Sequence, residues 1–129
     1  MYTKTATQMV IEAKSRVETL SPEAANAEWK SGDALLVDLR EADELRQHGR
    51  IAGAIHAPRG MLEFFADPTG PYHRPEFDAN RRTILFCASG GRSALAAEML
   101  QELGYTRVAH IDGGLWGWVA AGLAIEAGP

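Results

Sequence analysis

Thr83-Ile84-Leu85-Phe86-Cys87-Ala88-Ser89-Gly90-Gly91-Arg92-Ser93 is the stretch that decides how the chain is read. An apolar run rich in β-forming residues stops at Cys87, the only cysteine in the protein. Small residues and a Gly-Gly pair follow, and Arg92 then opens an amphipathic helix over Ala94 to Leu103. A strand that ends in a thiol and turns through glycines into a helix N-terminus makes an anion cradle with a nucleophile at its base. The backbone N–H groups of such a turn can point inward, and the helix dipole adds positive potential there. Both effects favour thiolate over thiol. Gly90 and Gly91 supply backbone angles that side chains disfavour, and Arg92 adds a permanent, forked cation. A plain buried cysteine beside an ordinary turn would leave the Gly-Gly-Arg run without a purpose. The cradle reading fails if the thiol is buried with the amides of the turn facing outward.

Moving outward, Ala34-Leu35-Leu36-Val37 is a second apolar run with no polar alternation, as strands buried on both faces show. Asp38-Leu39-Arg40-Glu41 closes it and opens a charged helix from Ala42 to about Gln47. Ser21-Pro22-Glu23 supplies an N-cap, a proline at the first helical position and an acid in the first turn of a helix reaching about Lys30. Short strands are expected at Val17 to Leu20, before Pro58, and at Val108 to Ile111. Asp112-Gly113-Gly114 turns into a closing helix whose Trp116 and Trp118 point to different sides, at least one of them into the core. Arg59 to Phe65 suits one or two helical turns, and residues 66–80 read as an irregular surface excursion. Thr3 to Arg16 predicts an amphipathic helix with Ala6, Met9, Val10, Ala13 and Val17 on its packed side. In the central helix Leu95, Ala96, Met99, Leu100 and Leu103 are expected inward, with Gly104 as the stop. Strands alternating with helices argue for an α/β fold, a parallel sheet covered on both faces, with ligands beyond the carboxyl ends of the strands. Cys87 falls at such an end.

The 129 residues suit one domain with a core of its own. A formal charge of -4 gives no electrostatic case for nucleic acid or an anionic membrane, and no apolar run is long enough to span a bilayer. A single cysteine forms no internal disulfide, which fits a reducing compartment and a cytoplasmic location. His56, His73 and His110 lack the close mutual spacing of a metal site, and His48 is expected to be solvated on its charged helix.

Four segments together resemble the rhodanese (sulfurtransferase) family: Asp38 to Glu41, Ile51-Ala52-Gly53-Ala54-Ile55-His56-Ala57-Pro58, Cys87 to Ser93, and Asp112 to Trp118. Their order and spacing match across about Val17 to Gly122. Arg50 departs from the histidine common before Ile-x-Gly-Ala, at a position expected to be structural. The resemblance implies a three-layer α/β/α rhodanese domain over residues 17–129 with a five-stranded parallel sheet, preceded by an N-terminal helical extension over residues 1–16. It implies that Cys87 accepts a sulfane sulfur, becomes a persulfide and passes the sulfur on. The persulfide would lie among the backbone amides of Ala88, Ser89, Gly90, Gly91 and Arg92, with the Ser93 hydroxyl capping the helix or bonding the thiolate. Asp38 and Arg59 are candidates for the pocket wall, although an ion pair of Asp38 with Arg40 at the strand end is the simpler account. Phe64 and Phe65 either line the pocket or anchor the excursion. The expected substrates are a small sulfur donor such as thiosulfate and a thiol or cyanide acceptor, with no metal and no organic cofactor. The apolar side of the first helix would suit a homodimer.

Two other classes compete. Thiol, cradle and arginine also serve cysteine phosphatases and arsenate reductases, and Asp67-Pro68 offers a general acid. Those enzymes place five residues between cysteine and arginine, whereas four separate Cys87 from Arg92. A shorter loop makes a tighter ring, suited to one persulfide sulfur rather than to a tetrahedral phosphate. The other class is a non-catalytic or redox-sensing module, but inactive members of the family generally lack the cysteine.

Overall fold

The computed structural model describes residues 3–129. The strands are β1 (Glu18–Leu20), β2 (Leu35–Asp38), β3 (Ile55–His56), β4 (Thr83–Phe86) and β5 (Val108–Ile111). The helices are α1 (Ala6–Lys14), α2 (Pro22–Ser31), α3 (Ala42–His48), α4 (Leu62–Ala66), α5 (Gly91–Glu102) and α6 (Gly114–Ala120), and a single 3₁₀ turn at Arg59–Met61 leads into α4. The five strands form one sheet in the order β1-β5-β4-β2-β3, every pairing parallel. Every residue of β2, β4 and β5 is buried, because helices cover both faces of these strands.

The period-two pleat divides the core. Leu35, Val37, Leu85, Cys87 and Val108 face a cluster completed by Leu62 of α4 and Ala96, Ala97 and Leu100 of α5. Leu36, Ile84, Phe86 and Ile111 face the other layer, where Ala25 of α2 meets Leu115 and Trp118 of α6. β4 lies at the centre of the sheet, and the chain leaves it toward β5 on one side and reaches β2 and β3 on the other. Cys87 follows β4 directly, at the carboxyl end of the strand where such sheets bind ligands.

Ser21 caps α2 as expected, its hydroxyl accepting from the Ala24 amide with Pro22 at the first helical position. The first helix is shorter than its pattern suggested: Thr5 and Gln8 form a capping box that starts α1 at Ala6. Its packed strip is also narrower. Ala13 is fully buried and Val10 partly so, but Met9 is 48 % exposed, because α1 rests along α5 rather than on the sheet. Leu103, expected inward, is 44 % exposed: it lies beyond the last helical turn, where Gly104 (φ +99°) reverses the chain. Trp118 is core and Trp116 is exposed. The excursion over 66–80 is irregular yet sends Phe77 into the core. Arg50 pairs with Glu126 through both backbone and side chains, tying the chain end to the loop after α3.

Candidate active site

Cys87 is held between two helix N-termini. α6 docks on one side, where the Leu115 amide donates to Cys87 O (2.8 Å) and the Trp116 amide to Ala88 O (3.1 Å). In a trans peptide the C=O and the following N–H point in opposite directions. Pinning these two carbonyls on α6 therefore turns the amides of Ala88 and Ser89 the other way. The docking requires Gly114, with φ +56°, since a Cβ there would come within 2.4 Å of Cys87 O. The Asp112-Gly113-Gly114 run thus serves the cysteine loop from a distance in sequence.

On the other side the chain turns at Gly90 (φ +115°) into α5, and the Gly90 amide donates to Cys87 Sγ at 3.1 Å. The amides of the first turn of a helix have no acceptor within the helix, and α5 begins directly after the amide that meets the sulfur. Cys87 is only 1 % exposed. Burial of the thiol meets half of the condition that would sink the cradle; against the other half stands the Gly90 amide, which faces the sulfur. Gly91 and Arg92 form the first turn; of the two glycines expected to supply unusual backbone angles only Gly90 does so, Gly91 being ordinary helix, and the Ser89 side chain is exposed.

Arg92 does not stand free. Its Nη1 and Nη2 donate to the two carboxylate oxygens of Glu44 at 2.8 and 2.9 Å, a fork-to-fork pair that clamps α5 to α3. Glu44 also accepts from the Glu41 amide as part of a capping box. The Arg92 guanidinium, helped by that amide and opposed by desolvation, holds the Glu44 carboxyl down to about 2. In return Glu44, ahead of the Cys87 sulfur, pushes the Arg92 pKa above its ordinary value. The Arg92 side chain keeps 39 % exposure.

Ser93 is fully buried. Its Oγ lies 3.7 Å from Cys87 Sγ, 3.2 Å from Gly90 O and 2.9 Å from Nδ1 of His110. The other ring nitrogen of His110 meets Thr19 Oγ1 at 3.0 Å. Register explains the meeting: His110 pairs with Leu85 on one side and Thr19 on the other, so it shares a sheet face with Cys87.

Asp38 is buried with Arg40, which donates to its carboxylate from Nε (3.0 Å) and Nη2 (2.7 Å), as the simpler account expected. Its oxygens are occupied by this partner rather than turned toward a substrate. Arg59 is paired with Glu63 at 2.8 Å. Phe65 packs on the core while Phe64 is 53 % exposed. A cavity of about 370 Å³ lies elsewhere, among Ala66, His73, Phe77 and Tyr105, and no cradle residue lines it. His56 is committed to Arg40 O and His73 to Phe77 O. Among the described residues no three His, Cys, Asp or Glu side chains gather as a metal site would require. Glu44, His110 and Thr19 were not singled out for the site from sequence; the acid at the third position of α3 was the one local hint, and it announced only a cap.

The sheet is thus parallel throughout, with the single cysteine at the end of its central strand and the N-termini of α5 and α6 beside it. The sequence matches the Rhodanese-like domain family over residues 21–121, and the chain belongs to that family. It is 34 % identical to a sulfurtransferase of Allochromatium vinosum, covering 85 % of this chain and 91 % of that protein. It is 33 % identical to a thiosulfate sulfurtransferase of Glaesserella parasuis over 84 % of this chain and 93 % of the relative. A solved structure from Rhodopseudomonas palustris, of a protein of unknown function described as a possible tyrosine phosphatase, matches with a TM-score of 0.92 and 42 % identity. That match covers 98 % of this chain and 97 % of the other.

Proposed function

We propose that the protein is a sulfurtransferase in which Cys87 carries sulfur as a persulfide. The observation that carries this reading is the Gly90 amide aimed at Cys87 Sγ, 3.1 Å away, in a loop with only four residues between cysteine and arginine. The relatives named as sulfurtransferases support it.

In the first half-reaction the Cys87 thiolate attacks the outer sulfur of a donor such as thiosulfate. A new S–S bond forms, the donor's own S–S bond breaks, and sulfite leaves with that electron pair. The amides of the loop and first turn of α5 offset the charge on the transferred sulfur, and Arg92, at the edge of the loop, attracts the oxyanion. In the second half a thiol or cyanide attacks the outer sulfur and Cys87 leaves as thiolate, so a collar that stabilises the thiolate assists departure. The chain's own residues supply each of these roles. A cytoplasmic setting suits a mechanism that needs a reduced thiol. The homodimer expectation rests on the apolar side of α1, of which Met9 stays exposed while Ala13 is buried and Val10 partly so.

Incubation with thiosulfate followed by mass spectrometry tests the proposal. Gain of a single sulfur atom at Cys87, removed by cyanide, is the expected result; an unchanged mass with every sulfur donor overturns it. The resemblance to the possible phosphatase makes aryl phosphate hydrolysis the proper control. Asp67, the general-acid candidate, accepts from the Thr69 amide at 2.9 Å and the Thr69 hydroxyl at 2.7 Å, so its carboxylate is engaged within its own loop.

A further inference from the structure

Behind the sulfur lies a line of polar groups that sulfur transfer as derived above does not use. It runs from Cys87 Sγ to Ser93 Oγ (3.7 Å), to Nδ1 of His110 (2.9 Å), and from Nε2 of His110 to Thr19 Oγ1 (3.0 Å). Its inner members are almost completely buried: Cys87 is 1 % exposed, and Ser93 and His110 are at 0 %. Its outer member, Thr19, is exposed on the edge strand β1. The line therefore joins an enclosed thiol to the surface.

A buried imidazole on β5 among Val108, Ala109 and Ile111 costs desolvation that an aliphatic residue would avoid, so both its nitrogens must be satisfied. Two hydroxyls satisfy them, and a hydroxyl can donate or accept at either end. We propose that His110 and Thr19 are positioning residues that carry the Cys87 thiol proton to the surface, His110 exchanging one neutral tautomer for the other. The proposal rests on the reading of Cys87 as the nucleophile.

The transfer balances. The Cys87 S–H bond breaks as Ser93 Oγ takes its proton, and Ser93 gives its own hydroxyl proton to Nδ1 of His110. Nε2 releases its proton to Thr19 Oγ1, and Thr19 hands its own to water. Afterwards the Ser93 hydroxyl donates to the thiolate, Nδ1–H donates to Ser93, and Thr19 donates to Nε2. A single proton has left, and the ring is neutral before and after. The Gly90 carbonyl, 3.2 Å from Ser93 Oγ, competes for the same hydroxyl hydrogen. His110 acting as a donor to Ser93 is what leaves that hydrogen free for sulfur.

The surroundings favour a neutral ring. Burial pushes the His110 pKa down, Lys14 of α1 pushes the same way, and Asp112 beyond β5 opposes them. From β1 and α5 the ring meets the hydroxyls of Thr19 and Ser93. Lys14 Nζ stands 4.0 Å from where a Cβ on Gly90 would sit, so α1 lays a cation beside the same loop.

Because the chain has one cysteine, its ultraviolet thiolate absorbance, referenced to Cys87→Ser, titrates a single group. His110→Phe keeps the ring volume and removes both hydrogen bonds; its thiolate midpoint is expected to rise by about one pH unit, the worth of one lost hydrogen bond. Thr19→Val closes the exit and is expected to slow thiolate appearance after an upward pH jump by about tenfold, with Thr19→Ser restoring the rate. Thr19 is exposed, so this pair decides the matter even if His110→Phe fails to fold. A wild-type rate in folded Thr19→Val, or a wild-type midpoint in folded His110→Phe, overturns the relay and sends the proton out by another route. No sulfur donor enters the measurement. A protein that never loads sulfur yet shows both shifts would lose the sulfurtransferase reading and keep the relay.

Discussion

Two arginines, each paired with a carboxylate beside the same helix, have been given opposite work. Arg40 is 1 % exposed and spends its donors inward: on Asp38, on Gly49 O at 2.9 Å and on Glu44 O at 3.4 Å. Arg92 reaches the side chain of the same Glu44 but stays 39 % exposed, at the edge of the cysteine loop. A guanidinium enclosed in the interior and bonded there is a brace, because an arriving anion can neither reach it nor compete for it. One that offers a forked pair at a solvated edge can exchange its carboxylate for a substrate oxyanion at low cost. Burial, more than the presence of a partner, separates the structural arginine from the available one. Substitutions in the two regions should therefore divide cleanly between stability and turnover.

The largest effects mark the extremes. Cys87→Ser is expected to abolish sulfur transfer while leaving the melting temperature nearly unchanged; turnover retained in that variant would refute the covalent route. Arg40→Met is expected to do the reverse. It leaves the Asp38 carboxylate buried without its partner, a loss of about 3–5 kcal/mol by the usual cost of breaking an interior pair. Denaturant unfolding would measure it, and a loss below about 1 kcal/mol would show that the pair is no brace. Between them lies Gly114→Ala, which drives a methyl into the Cys87 and Ala88 carbonyls. We expect it to cost both stability and persulfide formation, since the same contact seats α6 and turns the loop amides.

The comparison also shows what the sequence could and could not disclose. The Cys87 loop, the strands β2 and β4 and the Gly104 stop were legible because each is written in adjacent residues: apolar runs, a thiol, glycines where φ is positive. The Asp38–Arg40 brace was legible for the same reason, its members being two residues apart. Glu44 on Arg92 spans 48 residues, and Thr19 on His110 spans 91. Such meetings depend on strand order and register, and no periodicity announces them. Met9 misled because a helical stripe says which side is apolar but not how wide the partner is. α1 lies on another helix, and a helix covers less than a sheet.

Arg92→Ala sharpens the distinction at a smaller scale. It is expected to raise the thiosulfate KM by about tenfold, the worth of one charge-assisted contact, with little change in melting temperature. An unchanged dependence of rate on thiosulfate, beside a lowered melting temperature, would move Arg92 into the class of Arg40.

The smallest expected effect concerns acid. Glu44 is held at about 2, well below its ordinary 4.5, first by the hydrogen bond from Arg92. A carboxyl whose pKa is depressed by folding contributes stability that is fully present above its unfolded value and is lost as pH falls through the folded one. The clamp between α3 and α5 should therefore hold at neutral pH and weaken between about pH 4.5 and 2. Glu44→Gln removes this one titration, so the difference in stability between wild type and variant should shrink steadily over that window. Because the pair is half open to water, the neutral-pH cost of the substitution should stay below about 1 kcal/mol. Freed from its carboxylate, Arg92 should then bind thiosulfate at least as well as in the wild type. A variant that instead loses donor affinity would mean that Glu44 aims the guanidinium rather than merely occupying it, and the edge arginine would be held in place almost as firmly as the buried one.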